Sequence, residues 1–336
     1  MGFVDIIKGL FIAILGILAV FAITLTIYSN TAKGVFFDPN FYFVQFEKAD
    51  VYRALKTAMI SVSVDTVFDK ISSGQLSQLP PQTVQQLKIG TKQSLDTSIP
   101  LPWIKTQTNN FINNTLRYLK SESSTLNATL SIKEIKPQLS AATVSAVTAQ
   151  VVSVVNISEI LGSEAQAQIE EAIKQQVETG INSLPDAVDL NELSNGELIK
   201  TAVKVKPYVT QFFGICNILL IIDIVLLLLI ALLTWNVRSA ISRIGWCVLI
   251  AGVLSLVLAF ILPSVAKGMM TNTLAGIETS NAGVSQAVIN MVTTIAVGIL
   301  DGYFDAVKGT AAIVVVVGVI LVALSFALRF ILKERK

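Results

Sequence analysis

Residues 209–235 read VTQFFGICNILLIIDIVLLLLIALLTW, and the only charged side chain among them is Asp223, near the centre. A helix rises 1.5 Å per residue, so about 20 apolar residues cross a hydrocarbon core ~30 Å thick. Lipid offers no water to unpaired backbone groups, which makes a helix the form such a stretch adopts. Three further runs, 9–28, 244–262 and 310–332, have the same character. Four transmembrane helices are therefore predicted, in an all-α membrane protein with a mainly α-helical extracytoplasmic domain and possible short strands. Composition agrees: of 336 residues, 53% are hydrophobic and only 14% charged. No small-x-small cleavage site follows the first run, which reads as an uncleaved anchor.

The spans divide the chain into an N-terminal anchor (1–29), an extracytoplasmic domain (30–207), spans two and three (208–262), an outer amphipathic segment (263–309) and span four with a basic tail (310–336). Lys8, Arg238, Arg243, Arg329, Lys333, Arg335 and Lys336 fall on one side of the spans, and Lys267 and Lys308 on the other. By the positive-inside tendency this places both termini in the cytoplasm and residues 30–207 outside the cell membrane, although Lys200, Lys204 and Lys206 run against the count. Trp235, Trp246, Tyr28 and Tyr208 are expected as interfacial anchors. Residues 284–300 fit either an amphipathic helix or a fifth span, and the basic tail favours the former.

Much chemistry is excluded. The chain has no histidine, and Cys216 and Cys247 both sit in apolar runs at depths too different for a disulfide. Cys/His zinc sites, His-ligated haem and histidine-dependent nucleophiles lack their residues. No enzyme, cofactor or metal site is expected. With a net charge of +2 and no basic cluster interleaved with aromatics, no nucleic-acid partner is expected either.

Only six glycines fall within 30–207, too few turns for a many-stranded sandwich. Asp38-Pro39 caps a predicted helix running to Ile71, in one piece or broken. Leu101-Pro102-Trp103 opens another to Lys120, and Ser163 a third ending at Gly180. Ala128–Ile132 alternates like a short strand. Sequons begin at Asn113, Asn127 and Asn156. Asp38-Pro39-Asn40-Phe41-Tyr42, Val51-Tyr52 with Leu55, Leu101-Pro102-Trp103, Tyr118-Leu119-Lys120 and Leu184-Pro185-Asp186 together resemble a group of prokaryotic multi-pass proteins with the same one-plus-three arrangement of spans. The resemblance implies that architecture and carries no activity.

Several residues stand out functionally. An ionised carboxylate at mid-bilayer is costly, so Asp223 should face the bundle, protonated or paired, as part of an ion path or as packing glue. Asn217 could extend a polar track from it. Asp301 is the nearest candidate second acid for intramembrane proteolysis, but it lies outside the predicted spans and no motif of that class is present. Residues 159–197 hold nine acids and one base; within them Asp186, Asp189 and Glu192 could gather a hard cation or form a solvated face. Phe36, Phe37, Phe41, Tyr42, Phe43 and Phe46 could form a membrane-proximal aromatic surface or an ordinary core. Ala251, Ser255 and Ala259 make a small-residue face for close helix contact. The expected partners are membrane lipids, and a protein partner or further copies of the chain.

Overall fold

The computed structural model describes residues 3–72, 81–155, 163–183, 185–193, 196–234, 236–280 and 286–333. In chain order these form α1 (Phe3–Phe36), α2 (Pro39–Lys48), α3 (Val51–Ser72), α4 (Pro81–Ser98), α5 (Leu101–Leu119), β1 (Thr129–Ser131), α6 (Lys136–Val155), α7 (Ser163–Asn182), β2 (Ala187–Asp189), α8 (Leu190–Leu193), α9 (Glu197–Thr234), α10 (Val237–Ser280) and α11 (Gln286–Lys333). They belong to two compact units. One comprises Met1–Gln45, Leu119–Glu122 and Lys204–Lys336, the other Phe46–Tyr118 and Ser123–Val203.

In the first unit four helices are long and apolar enough to cross a membrane, over Lys8–Phe36, Glu197–Thr234, Val237–Met269 and Thr293–Leu328. The chain is a membrane protein of the all-α class. α10 and α11 have 44 and 48 residues, so they are ~66 and ~72 Å long, about twice the hydrocarbon thickness. Of residues 263–309, read from sequence as a separate segment, 263–280 continue α10 and 286–309 belong to α11, which runs unbroken from Gln286 into the fourth apolar run.

Glycines bring α10 and α11 together. A Cβ on Gly245 would stand 2.9 Å from the Val322 nitrogen, one on Gly252 2.9 Å from the Val315 nitrogen, and one on Gly318 2.6 Å from Leu249 Cα. Backbone therefore lies on backbone over about two turns of an antiparallel hairpin, and Lys267 pairs with Asp301 at 2.7 Å further along it. The small-residue face of α10 is internal: Ala251, Ser255 and Ala259 are fully buried, the alanines in one cluster with Ile23 and Ile27 of α1 and Val307 and Ala311 of α11. α1 runs two turns beyond Tyr28, whose hydroxyl donates to the Ser255 carbonyl at 3.0 Å. Tyr303 in turn donates to the Tyr28 carbonyl at 3.1 Å.

α9 is held differently. From 209 onward its buried positions are Val209, Cys216, Asp223 and Ile230, one every seven residues, while most of its other apolar side chains are exposed. This is a seam one residue wide, at the period that two helices crossing at a small angle keep in contact. Both cysteines are free. Cys216 Sγ meets the Ser29 carbonyl at 3.6 Å, and Cys247 Sγ lies opposite Gly16. Those contacts are thirteen residues apart along α1, roughly 20 Å, far beyond disulfide reach.

The second unit is a helical bundle with one two-stranded ladder. α2, whose end enters this unit at Phe46, is capped in the first unit by Asp38 through the Asn40 N–H at 3.0 Å, and Asp50 turns the chain into α3 with φ 51°, a conformation aspartate tolerates. Tyr52, Ile60, Val64, Ile99, Trp103, Ile104 and Ile135 form the core. β1 and β2 pair antiparallel, Leu130 opposite Val188. α5 is fastened to the ladder twice at one residue: Trp103 Nε1 donates to the Ser131 carbonyl at 3.1 Å, and Ser131 N–H donates to Gln107 Oε1 at 3.2 Å. α7 passes through Gly180 to Asn182, because a lone helical glycine costs only about 1 kcal/mol. Asn113 is exposed on α5, Asn127 Oδ1 accepts from the Thr129 N–H at 3.2 Å, and Asn156 lies outside the described residues.

Two acids tie this unit's surface together. Hydrogen bonding from Lys92 at 3.0 Å, with the Lys92 and Lys88 charges and Ser61, holds the Asp65 carboxyl below the usual carboxylate value. Lys136 at 2.7 Å does the same for Asp186. A carboxyl whose folded pKa is depressed stabilises the fold above its unfolded value, and that contribution is lost as pH falls through the folded one. Unfolding midpoints of the second unit should thus be flat near neutrality and fall below about pH 4 to 5. Asp65→Asn with Asp186→Asn should flatten that acid limb in a pH series of thermal melts, modestly, since both groups are exposed.

Candidate functional site

The second unit contains an apolar pocket of about 580 Å³, within the range of small-molecule sites. Leu55, Ala58 and Met59 form its α3 wall, one face of the helix at three- and four-residue spacing. Trp103, Ile104, Phe111 and Ile112 come from α5, Phe46 from α2, and Leu130 and Leu190 from the ladder end. Among the described residues Gln107 and Thr108 are its polar side chains, and none that lines it is charged. Three polar groups nearby are committed elsewhere: the Trp103 indole N–H and Gln107 Oε1 to Ser131, and the Tyr52 hydroxyl to Asn109 Oδ1 at 2.7 Å. Lys105, adjacent in sequence to Ile104, pairs with Glu47 at 2.6 Å and lies 5.6 Å from the Tyr52 ring centre, so its charge is matched.

A second feature lies in the membrane unit. Asp223 is only 8% exposed. Thr26 of α1 interacts with its carboxyl, yet Asp223 Oδ1 and Thr26 Oγ1 are both buried without a hydrogen bond of ordinary geometry. Asn217 does not continue a track from Asp223. It sits about a third of a turn round the helix, exposed, and accepts from Lys33 Nζ at 3.4 Å while that ammonium lies over the Phe213 ring at 5.0 Å.

The acidic residues separate. Asp186 turns to Lys136, Asp189 Oδ1 caps the Asn191 N–H at 2.8 Å, and Glu192 is exposed. Among the described residues no group of three His, Cys, Asp or Glu side chains is placed to hold a metal ion. The aromatic run also divides. Phe36 stacks on Tyr303 at 5.0 Å, Phe37 meets Phe213 at 4.8 Å, and Phe41 meets Tyr42 at 5.7 Å, all in the membrane unit. Phe46 packs on Tyr52 in the other unit, at 6.0 Å, and Phe43 is half-buried.

Two arrangements have no counterpart in the sequence reading. Gly298 and Gly302 form a notch on α11 that receives α2: a Cβ on Gly302 would stand 2.6 Å from Gln45 Nε2 and 2.7 Å from Phe41 Cε2. The Gly-x-x-x-Gly spacing was the available signal. Ser61 Oγ lies 2.9 Å from Lys92 Nζ, the pairing of a serine nucleophile with a lysine base. Here Asp65 Oδ2 stands 3.0 Å from the same ammonium and forms an ion pair with it, so the arrangement is that of a surface ion-pair cluster.

No protein-family model matches the chain, and no curated protein or solved structure matches it.

Proposed function

We propose that the chain is a non-enzymatic cell-membrane protein that displays its second unit outside the bilayer as a binding module, with both termini in the cytoplasm. The observation that carries this reading is the pocket between α3, α5 and the β-ladder, whose walls are apolar but for Gln107 and Thr108 and beside which the Trp103 N–H and Gln107 Oε1 are already paired. It is a wall for holding a ligand or partner rather than for converting one. The bias of basic residues toward 238–243 and 329–336 supports the orientation, as does the alternation of direction that four spans require. Protease added to intact cells should cut within residues 72–100, of which 73–80 lie outside the described residues, and leave 236–245 intact. The reverse pattern would invert the topology. Native mass spectrometry after gentle extraction reads what the module retains, whether lipid, protein or a second copy.

A second reading rests on Asp223, whose unpartnered oxygen is the kind of group that exchanges a proton or ion within a membrane. Under it, Asp223→Asn abolishes a flux measurable in liposomes. If the second unit alone carries the function, neither version conducts.

A further inference from the structure

We propose that the pocket of the second unit holds one hydrocarbon chain of a membrane lipid. The inference rests on the reading of this unit as a binding module and names its ligand. Charge is the first argument. Among the described residues no ionisable side chain lines the space, and Lys105 is neutralised by Glu47, so none of them recognises a charged molecule. The second is hydrogen bonding. A polar ligand buried here would lose its bonds to water, and of the groups that could replace them the Trp103 N–H, Gln107 Oε1 and the nearby Tyr52 hydroxyl already have partners inside the protein, which leaves the Gln107 amide N–H and the Thr108 hydroxyl for the whole described wall. An aliphatic chain has no such requirement.

The walls suit the same ligand. Phe46, Trp103 and Phe111 offer flat apolar faces, and Met59 is an unbranched, adaptable side chain that fits chains of varying shape. The source is the bilayer itself, since a chain with four membrane-crossing helices resides where acyl chains are the abundant apolar solute. The headgroup stays outside a pocket that offers it no partner.

The test uses the full-length protein with Trp235→Phe and Trp246→Phe, which leaves Trp103 the only tryptophan. It is placed in nanodiscs of dioleoylphosphatidylcholine doped with dibromostearoyl phosphatidylcholine, whose bromines quench indole on contact. Trp103 emission should fall saturably, and Ala58→Phe should weaken the effect roughly tenfold or more by filling the space. Ala58 is exposed, so its added ring displaces no core; Thr108→Leu fills the pocket from α5 as a second variant. Equal quenching in the filled variants would mean that lipid reaches Trp103 from elsewhere, and overturns the proposal. Absence of quenching together with anilinonaphthalene sulfonate binding that Ala58→Phe removes would overturn the acyl-chain assignment and leave the binding module standing. Absence of both overturns the two together.

Discussion

Gly318→Leu should abolish most of the assembled membrane unit. The first atom of any side chain at 318 meets Leu249 Cα and N at 2.6 Å, and these are backbone atoms of a helix that cannot step aside locally. The hairpin must open along its length, uncovering the fully buried Ala251, Ser255 and Ala311. Even Gly318→Ala should cost about 1 to 3 kcal/mol, the usual range for overpacking, and lower the melting temperature in detergent by several degrees. Gly309→Ala is the internal control. It lies on the same helix with nothing within 4 Å of its Cβ position, so alanine should be neutral or gain up to about 1 kcal/mol from helix propensity. Equal melting of the Gly318 and Gly309 variants would refute the close approach.

The second large effect belongs to Asp223. Asparagine has the same shape and can hydrogen-bond to Thr26, so Asp223→Asn should fold nearly as the native chain does. Asp223→Lys places a cation in a buried seam position with no acid across from it, at a cost of roughly 2.5 to 3.5 kcal/mol near a span's centre. Detergent melts and the yield of assembled protein should separate the two clearly. If lysine melted with asparagine, residue 223 would be reaching water or headgroups, and neither the ion path nor the packing role would survive. Beyond charge, one polar residue among Val209, Cys216 and Ile230 can fix which turn of α9 meets which turn of α1. A slip of one heptad toward the start of α1 would set Asp223 against Ala19 in place of Thr26.

The four spans were legible because lipid imposes an unbroken apolar run, and that signal is local. So were the Asp38-Pro39 cap and the position of β1. What escaped the sequence is what depends on residues distant in the chain. The pocket is assembled from α2, α3, α5, the ladder and α8, and each wall alone looks like an ordinary amphipathic face. Gly298 and Gly302 carry a readable spacing, but their occupants, Phe41 and Gln45, lie some 250 residues earlier. Apolarity alone also says nothing of which side of α9 is buried. Only the heptad from Val209 to Ile230 does, and Asp223 was legible as unusual without being legible as a member of it. The aromatic run misled by being contiguous, since the boundary between the two units passes between Gln45 and Phe46.

The order in which the helices are made gives α1 a solitary interval. Its partners Asp223, Ser255 and Thr310 follow Thr26 by about 200 residues or more, which at ~5 to 20 residues per second amounts to at least roughly 10 s of synthesis before the first of them emerges. During that interval α1 must be stable in lipid alone. Its polar groups are suited to waiting: Thr24 donates to the Val20 carbonyl at 2.8 Å and Ser29 to the Thr26 carbonyl at 3.3 Å, both within the helix. Thr26, Tyr28 and Thr31 are the exceptions, and they face α9, α10 and α11 respectively. A newborn α1 therefore carries three unmet sites, and a ribosome-stalled chain cut short before α9 should expose them to whatever membrane chaperone attends unassembled helices.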